Sequence, residues 1–541
     1  MKILTLCKPY LLAHKYALGV YVGLTLATVA ITILSPYILG DFIDDLIQGA
    51  DMHTISRFCL IFGGLNLLRI VKGYFSAMLY VKMQNRMGYS FNKNVIQHIQ
   101  RVSLSYINQK DIAYLSSRVT SDANSLIGFC VSVLQSVLTH AILLVVPFFV
   151  LFSLNRFISL LMLAFLGVYV ILYFTCKKKL YEVSLAMREK QATFFSGLLE
   201  QLKYIKLIKT NAIQKEINAR ADGHFTGFDK TVIRNQRVNY LYSGMDGIIS
   251  TLAQIALFVV GGLQILYGNF TIGMFTIFTS YFNLILGATR YFYGLGASYQ
   301  NALAAYDRMA EILGQRAEGS GTMELDGIQR ITLDNVGFAY SAQGEEAVRG
   351  FGAAFTQGNI YAITGANGAG KSTLISLVMG LYADEYTGTI AYNHTDIREI
   401  NMASTRRRHI GFAEQESTLI HDTIGYNLTY TSDANRGGDE RLNALIEILD
   451  MNAFFEKHGL DFEINEMSNN ISGGERQKIS ILKVLYKNPD VMIFDEPTAA
   501  LDAATTTRFM DYLSRIKAGK IIIVITHDAA FKAGCDRVIL I

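Results

Sequence analysis

A glycine-rich segment that ends in lysine and serine has the clearest chemical pattern in this sequence. Residues Gly365–Ser372 read GANGAGKS, which matches the pattern G-x-x-x-x-G-K-[ST] of phosphate-binding loops. A strand-like run, Ile360–Thr364, precedes the segment, and a helical pattern begins near Leu374. This strand–loop–helix order is the setting that the motif requires, and it disfavours the alternative of an ordinary glycine-rich turn.

The residue types of this segment suit the phosphates of ATP. Glycines allow backbone N–H groups to surround a phosphate, and the helix N-terminus adds partial positive charge. Lys371 is predicted to reach the β- and γ-phosphates, and the hydroxyl of Ser372 is predicted to ligate Mg²⁺. The predicted ATP-binding residues of the segment are Gly365, Ala366, Asn367, Gly368, Ala369, Gly370, Lys371, Ser372 and Thr373.

Two carboxylates follow a second apolar strand, Val491–Glu496, which reads VMIFDE. Asp495 is predicted to hold Mg²⁺. Glu496 is predicted to be the general base, because hydrolysis needs a proton acceptor in line with the γ-phosphate. A third apolar run, Ile521–Ile525, precedes His527. A lone histidine at a strand end is usually structural, but its position after both phosphate motifs favours a contact with the γ-phosphate.

The composition of the whole chain indicates a membrane protein of more than one domain. The 541 residues are 51% hydrophobic and only 17% charged, against about 25% charged residues in soluble domains. The net charge of +4 gives no indication of a nucleic-acid partner. The five cysteines are dispersed, without the spacing of metal ligands or of a disulfide framework.

Six apolar runs are long enough to cross a lipid bilayer. They are Tyr16–Gly40, Phe58–Val81, Ile127–Leu154, Phe157–Cys176, Tyr240–Tyr267 and Ile272–Tyr293. The second and fourth connections are long and rich in lysine and arginine, whereas the other three are short. Because lysine and arginine favour the cytoplasmic side, both termini and the two long connections are predicted to be cytoplasmic. Apolar residues at helical spacing in Ser196–Ile213 indicate that the helices extend into the cytoplasm.

A change in composition near residue 314 separates this membrane half from a second domain. The segment GQRAEGSG, Gly314–Gly321, is small and polar, as in a linker. Strand-like and helical runs then alternate, as in a parallel α/β sheet. The predicted boundaries are 1–313 for a six-helix transmembrane domain, 314–328 for a linker and 329–541 for the nucleotide-binding domain.

The motifs, taken in order, resemble the ATP-binding-cassette (ABC) exporters. The segment ISGGERQ, Ile471–Gln477, is similar to the signature of that family, and VMIFDEP follows it as the second nucleotide motif. In the membrane half, SSRVTSDAN at Ser116–Asn124 and YIKLIKTNA at Tyr204–Ala212 look like its two cytoplasmic loops. The resemblance implies a multidomain membrane protein: a six-helix bundle with long cytoplasmic helical extensions, followed by an α/β P-loop ATPase domain.

The resemblance also assigns roles to residues outside the phosphate motifs. Tyr340 would stack on adenine, and Gln415 would sense Mg²⁺ and the transport helices. Asp502 matches a loop that communicates between two nucleotide sites. Glu466 matches an acidic position typical of exporters rather than importers.

In this family the phosphate loop of one subunit faces the signature of the other, so the resemblance implies a dimer. The signature residues that would bind the partner's ATP are Ser472, Gly473, Gly474 and Glu475. The cytoplasmic loops near Ala113–Arg118 and Asn211–Lys215 would contact the nucleotide-binding domains. Because the catalytic residues all match, a homodimer is favoured, and a heterodimer remains open.

The substrate is less constrained by the sequence. No peptidase domain precedes the first apolar run, which disfavours a leader-cleaving peptide exporter. An amphipathic, possibly antimicrobial, peptide is the leading interpretation; a lipid, a hydrophobic drug, an exporter-shaped importer and an ATP-gated channel or sensor are the alternatives. A bacterial plasma (inner) membrane is the expected location. Seven aromatic residues of the sixth run could line a cavity, although such stripes more often pack: Phe275, Phe278, Tyr281, Phe282, Tyr291, Phe292 and Tyr293.

Two cations interrupt the second apolar run. Arg69 and Lys72 lie three residues apart and therefore on one helix face. A charge in the middle of a membrane costs at least about 2.5–3.5 kcal/mol on insertion scales, so these side chains are expected to face the bundle or a wet cavity. We hypothesise that at least one of them attracts an anionic group of the substrate. The alternative is an ion pair, for which Asp246 of the fifth run is the candidate.

Overall fold

The computed structural model of the chain contains two compact units. Unit 1 comprises Met1–Ile96 and Ala113–Leu313, and unit 2 comprises Gln97–Ile112 and Gly314–Ile541. The structure describes residues 2–110, 112–319, 321–340, 344–382, 385–431, 439–465 and 470–541.

Unit 1 is helical, and six of its described helices are long and apolar enough to cross a membrane. We number them span 1 to span 6: Lys15–Ile47, Met52–Ile99, Arg118–Leu154, Arg156–Lys203, Gln214–Leu266 and Ile272–Leu313. A shorter helix, Lys2–Ala13, precedes span 1. Each span contains one of the six predicted runs. Spans 2, 4, 5 and 6 continue for many residues beyond the apolar part, as the helical spacing in the polar connections predicts.

Short polar caps make the tight connections between spans possible. Asn155 separates spans 3 and 4, and its side chain accepts a hydrogen bond from the backbone N–H of Ile158 at 3.1 Å. Asp44 of span 1 accepts hydrogen bonds from the N–H of Gly273 at 2.7 Å and the hydroxyl of Thr271 at 2.6 Å at the start of span 6. A carboxylate in this position satisfies a free N–H group and complements the helix dipole.

The two polar segments that resemble cytoplasmic loops interrupt the helices. A wide helical turn at Arg118–Asp122 opens span 3, and such turns often occur at functional positions. Asp122 is buried there and accepts hydrogen bonds at 2.9 and 2.7 Å from Arg308 of span 6. Between spans 4 and 5, a short helix, Ile205–Asn211, ends at Ala212 in the left-handed region, φ 53°.

Most buried aromatic residues of span 6 serve packing. Phe278, Tyr281 and Phe282 are at most 2% exposed and belong to an apolar cluster with residues of spans 3, 4 and 5. The hydroxyl of Tyr281 donates to the carbonyl oxygen of Ile33 in span 1 at 2.6 Å. These rings therefore hold the bundle together, which is the packing alternative that the sequence left open.

The two cations of span 2 have different surroundings. Lys72 is 7% exposed, and its ammonium group donates to a backbone carbonyl oxygen at 2.7 Å and to the hydroxyl of Thr28, both in span 1. Arg69 is exposed. The alternative that Asp246 pairs with either cation is wrong, because Asp246 forms an ion pair with Arg290 of span 6 at 2.9 Å. Hydroxyl and carbonyl oxygens can satisfy a lysine within a helical bundle without an acid.

Unit 2 is built on two sheets. In chain order the strands are β1 Arg330–Phe338, β2 Val348–Thr356, β3 Asn359–Thr364, β4 Thr387–Tyr392, β5 Thr395–Asp396, β6 Ile410–Ala413, β7 Val491–Asp495, β8 Ile521–Ile525 and β9 Arg537–Leu540. A parallel sheet has the order β6-β7-β8-β3-β9, and an antiparallel sheet has the order β2-β1-β4-β5. The parallel sheet agrees with the sequence prediction, whereas the antiparallel sheet was not predicted.

Helices complete unit 2 around its sheets. They are Leu104–Asn108, Lys371–Val378, Met402–His409, Ile424–Thr429, Glu440–Ile448, Asn452–His458, Gly473–Lys487, Ala503–Ile516 and Ala529–Ala533. One apolar cluster lies between the two sheets, and a second lies between the parallel sheet and the helix Gly473–Lys487. The strands β7 and β8 are fully buried, which explains why they read as continuous apolar runs in the sequence.

The segment 314–328, predicted as a linker, makes contacts throughout its described part. Glu318 forms an ion pair with Arg406 at 2.7 Å. The N–H of Met323 donates to the carbonyl oxygen of Glu399 at 3.1 Å. Ile328 is fully buried in the core between the sheets. These three residues of the segment therefore contact the rest of unit 2.

Candidate functional site

The phosphate loop connects β3 to the helix Lys371–Val378. Gly368 and Gly370 have φ of +83° and +94°, which residues with side chains rarely adopt. A Cβ atom at Gly370 would also lie 2.2 Å from the carbonyl oxygen of Ala347. The glycine positions of the motif are thus required by the backbone, and the first helical turn presents its free N–H groups to the loop.

The side chain of Lys371, at the end of the phosphate loop, folds back onto the first residues of the loop. Its ammonium group donates to the carbonyl oxygens of Gly365 at 2.9 Å and Ala366 at 3.0 Å. The positive charge therefore lies over the concave side of the loop, where bound phosphate would compete with the two carbonyl oxygens for it.

Ser372 and Asp495 meet beside the phosphate loop. The serine hydroxyl lies 3.5 Å from Oδ2 of the aspartate, which ends the buried strand β7. Burial, and next the negative charge of Glu496, raise the pKa of Asp495 to about 6. A nearly buried carboxylate next to a hydroxyl and a second carboxylate offers several oxygen ligands and an excess of negative charge. Both properties fit Mg²⁺. Gln415, the third predicted ligand, is directed at Glu496 instead.

Glu496 lies at the centre of the catalytic cluster. Its backbone is left-handed, φ 47° and ψ 52°, a conformation that non-glycine residues adopt at a cost and that is frequent at functional sites. The Gln415 amide donates to Oε2 at 2.7 Å, and His527 Nε2 lies 3.7 Å from Oε1. Gln415, Glu496 and His527 follow the strands β6, β7 and β8, whose carboxyl ends meet at one sheet edge.

One residue of this cluster was missed by the sequence reasoning. The side-chain amide of Gln477 is buried and donates to the carbonyl oxygen of Glu496 at 2.8 Å. Gln477 belongs to the helix that begins at the signature, so this hydrogen bond joins that helix to Glu496, the predicted general base. The segment ISGGERQ contained Gln477, but only the position of β7 next to the helix reveals what the amide contacts.

Tyr340, predicted to stack on adenine, lies next to the phosphate-loop helix. Its hydroxyl is 2.8 Å from the hydroxyl of Thr373, and its ring meets those of Phe338 and Tyr382 edge-on. Nearly half of the residue, 47%, is exposed. The ring thus has a fixed orientation and a free surface for a flat ligand.

The signature forms the start of the helix Gly473–Lys487. Ser472 caps it: its hydroxyl accepts from the N–H of Glu475 at 3.2 Å, and the Glu475 carboxylate accepts from the N–H of Ser472 at 2.7 Å. This reciprocal pair holds the N–H groups of Gly473 and Gly474 at the positive end of a 15-residue helix. Among the described residues, no hydrogen bond joins Ser472 to the phosphate loop.

The remaining assignments concern Asp502 and Glu466. Asp502 caps the helix Ala503–Ile516, accepting from the N–H of Thr505 at 2.7 Å, and this hydrogen bond lowers the pKa of the carboxyl. Glu466 lies outside the described residues.

A short helix that follows span 2 in the chain, Leu104–Asn108, packs within unit 2. The hydroxyls of Ser103 and Ser105 both donate to the carboxylate of Glu385. Leu104 packs against the core between the sheets. This helix, Leu104–Asn108, lies upstream of Ala113–Arg118, the loop predicted to make such a contact, which is part of unit 1.

Comparison with known proteins identifies both halves. The model described as "ABC transporter transmembrane region" matches residues 18–289, and the model described as "ABC transporter" matches residues 348–499. The ATP-dependent lipid A-core flippase of Syntrophus aciditrophicus is 25% identical over all of this chain and 89% of its own length. The Lactococcin-G-processing and transport ATP-binding protein LagD of Lactococcus lactis is 23% identical over 94% of this chain and 72% of its own length.

A solved structure has the same fold. It is a bacterial Atm1-family ABC exporter with ATP bound, with a TM-score of 0.83 and 19% identity, covering 98% of this chain and 93% of the other. The six spans and the parallel sheet with its phosphate loop are therefore those of known exporters. This chain is a multi-pass membrane protein that binds ATP, and it belongs to the ABC transporter family as a half-transporter of the exporter type, an ATPase coupled to transmembrane transport.

Proposed function

We propose that this chain works as a homodimer in a bacterial inner membrane and exports an amphipathic peptide, with Mg²⁺ as the cofactor of ATP hydrolysis. The proposal assigns residues 1–313 to the transmembrane domain, 314–328 to the connection and 329–541 to the ATPase domain. The observation that carries the ATPase mechanism is the convergence of Gln415, Glu496 and His527 at one sheet edge, beside the Ser372–Asp495 pair.

Hydrolysis follows from this arrangement of side chains. Lys371 exchanges its two carbonyl partners for the β- and γ-phosphates. Glu496 accepts a proton from the attacking water, Gln415 orients its carboxylate, and His527 contacts the γ-phosphate. Mg²⁺, held by Ser372 and Asp495, would neutralise charge on the phosphate oxygens.

The dimer is proposed because the signature and the phosphate loop are separate features of unit 2. The N–H groups of Gly473 and Gly474 lie at a capped helix end, an anion-binding arrangement that needs a phosphate from elsewhere, and Ser472 caps that end. Glu475 fixes that helix end, and Asp502 begins the neighbouring helix. A second copy supplies the phosphate most simply; a heterodimer is the alternative.

The orientation and location rest on charge. Lysine and arginine concentrate in the connections between spans 2 and 3 and between spans 4 and 5. Both connections, both termini and unit 2 are therefore assigned to the cytoplasm.

The relatives support two substrate classes. By their names, LagD processes and transports lactococcin G, and the flippase acts on lipid A-core. A peptide is our leading proposal, with a lipid or hydrophobic drug as the second candidate. The alternatives of an importer and an ATP-gated channel are tested by the direction in which substrate crosses the membrane when ATP is added.

The test uses the purified chain in vesicles with unit 2 outside. We expect ATP-dependent uptake of an amphipathic peptide into these inverted vesicles. Glu496→Gln should retain ATP but slow turnover by about 10²–10⁴-fold, because it removes only the proton acceptor. Lys371→Ala should prevent productive ATP binding, because it removes the phosphate's counter-charge. Normal turnover of Glu496→Gln would refute the assignment of the general base, and efflux instead of uptake would refute export.

The substrate role of Arg69 and Lys72 stays a prediction. Lys72 lies beside a cavity of about 320 Å³ that Thr28 and other hydroxyl residues line. We expect Lys72→Gln or Arg69→Gln to weaken substrate-stimulated ATP hydrolysis while basal hydrolysis persists. Unchanged stimulation in both folded variants would leave Lys72 with a structural role only.

A further inference from the structure

A cavity of about 910 Å³ lies within unit 1 among spans 4, 5 and 6. Each of the three spans contributes polar or charged side chains to its lining. In span 4 six of the nine lining residues recur every three or four positions, as on one face of a helix, and Lys178, Leu180 and Leu185 flank them: Tyr169, Tyr173, Lys177, Tyr181, Ser184 and Arg188. Polar residues on one face of a membrane helix are costly against lipid and mark a functional cavity.

The charge of the lining favours an anion. Four cationic side chains face two acidic ones. Asp246 is already neutralised by Arg290 at 2.9 Å. Lys177 and Lys178 are exposed and directly follow the apolar part of span 4, and the lining of span 4 continues beyond them to Arg188. Their charges therefore lie about midway along the cavity, next to the tyrosines of its apolar part.

Tyrosine rings form the rest of the wall. Tyr173 and Tyr293 stack with their centroids 4.2 Å apart, and Tyr169 stacks on Tyr293 at 5.5 Å. The hydroxyl of Tyr293 is buried and has no hydrogen-bond partner among the described residues. Because a buried hydroxyl without a partner is destabilising, this group is available to a ligand atom.

We propose that this cavity binds an amphipathic anion, whose phosphate or carboxylate contacts Lys177 and Lys178 and whose apolar body lies against the tyrosines. The inference rests on the proposed transport function and specifies the chemistry of its substrate. The volume matches pockets that enclose most of a small ligand. The cavity beside Lys72 is about 320 Å³ and holds a smaller group.

The experiment measures binding and ATPase stimulation with matched probes. The full chain is placed in nanodiscs of phosphatidylcholine and titrated with dodecyl phosphate or dodecyltrimethylammonium. A hydrophobic peptide with a free carboxyl terminus is compared with the same peptide carrying an amide terminus. We expect the anionic member of at least one pair to bind and stimulate, and the cationic or amidated member to bind at least about tenfold more weakly.

Charge variants locate the site. Replacing Lys177 and Lys178 together by glutamine should weaken anion binding by about five- to tenfold, because two partly solvated charge pairs are lost. Lys179→Gln is the matched control: Lys179 is adjacent, has the same charge and faces Glu182 at 3.9 Å rather than the cavity. Tyr293→Phe keeps the stacked ring and should weaken binding by about threefold to tenfold.

Each outcome decides the proposal. Binding of dodecyl phosphate alone supports it with a lipid-type phosphate, and binding of the free-carboxyl peptide alone supports it with a peptide. Equal binding of anionic and cationic probes, equal effects of the Lys179 and Lys177/Lys178 changes, or no binding at all overturns it. If the unaltered chain does not hydrolyse ATP at all, that result would instead count against the proposed transport function.

Discussion

At the scale of single residues, the predicted nucleotide site places two negative charges, those of Asp495 and Glu496, next to each other, and a bound cation would neutralise them. Asp495 is 9% exposed, ends a buried strand and has Glu496 as its neighbour in the chain. Burial and that neighbouring charge raise the pKa of Asp495 to about 6. Holding such a carboxylate ionised at neutral pH destabilises the nucleotide-free fold, a cost that pre-organises the site for a cation.

Asp495→Asn should therefore stabilise the nucleotide-free protein at pH 7.5 while abolishing Mg²⁺-dependent ATP binding. The folded-state pKa lies above the unfolded value near 3.9, so the stability of the unaltered protein falls as the pH rises through about 4 to 6. The gain in Asp495→Asn should reach about 1–3 kcal/mol. It should shrink as the pH is lowered from 7.5 to 5.

Thermal unfolding in metal-free buffer measures this gain. Asp511→Asn, at an exposed position of the helix Ala503–Ile516, is the control and should change stability little at either pH. An Asp495→Asn protein that is no more stable than the unaltered chain at pH 7.5 contradicts the raised pKa.

At the scale of elements, local signals predicted the catalytic strands well. The order of strand, glycine loop and helix gave β3 and the helix Lys371–Val378 because glycine, charge and periodicity all point to one structure there. The antiparallel sheet was not predicted, because β1 and β4 pair across 50 to 61 residues and such pairing leaves no local pattern.

The same distinction applies to side-chain partners. The position of Lys72 in an apolar run correctly predicted that its side chain faces the bundle and is hydrogen-bonded. The predicted partner, Asp246, was selected only because it carries the opposite charge. The true partners are oxygens of span 1, and Asp246 pairs with Arg290. Which groups meet depends on how helices rotate against one another, and one sequence does not specify that rotation.

The helix Leu104–Asn108 yields a prediction at this scale. Ser103 and Ser105 donate to Glu385 from a helix that follows span 2 directly. Because these hydrogen bonds hold the segment that follows span 2 within unit 2, we expect Glu385→Ala to reduce substrate stimulation of ATP hydrolysis several-fold while basal hydrolysis persists.

Stimulated and basal hydrolysis are compared in proteoliposomes. Glu399→Ala, at an exposed glutamate of the same unit, is the control and should retain stimulation. Full stimulation in Glu385→Ala would show that coupling depends on other contacts.

At the scale of the whole molecule, each chain carries one phosphate loop and one signature, and in the proposed dimer the two would enclose ATP across the subunits. Reciprocal hydrogen bonds between Ser472 and Glu475 fix the helix end of the signature. A phosphate bound there gains several fixed N–H donors without reorganisation of the loop. Closure of the proposed dimer and binding of ATP would therefore be one coupled equilibrium, which would bias the membrane spans between two states.

Mixed dimers test this arrangement. A Ser472→Arg chain cannot complete the phosphate cage of its partner, and a Lys371→Ala chain cannot bind phosphate itself. If the sites form in trans, a dimer of these two chains concentrates both defects in one site and leaves the other intact. We expect such dimers, purified through two different tags, to trap about one nucleotide with vanadate, whereas each variant homodimer traps essentially none.

The matched control places both changes on one chain and pairs it with an unaltered chain. In a trans arrangement each site then contains one defect, so this dimer should trap essentially no nucleotide although it carries the same two substitutions. A cis arrangement reverses the two results, because the unaltered chain would keep a complete site of its own. The difference between the two dimers therefore depends only on which chain supplies the signature, and not on how severely either substitution damages its own loop.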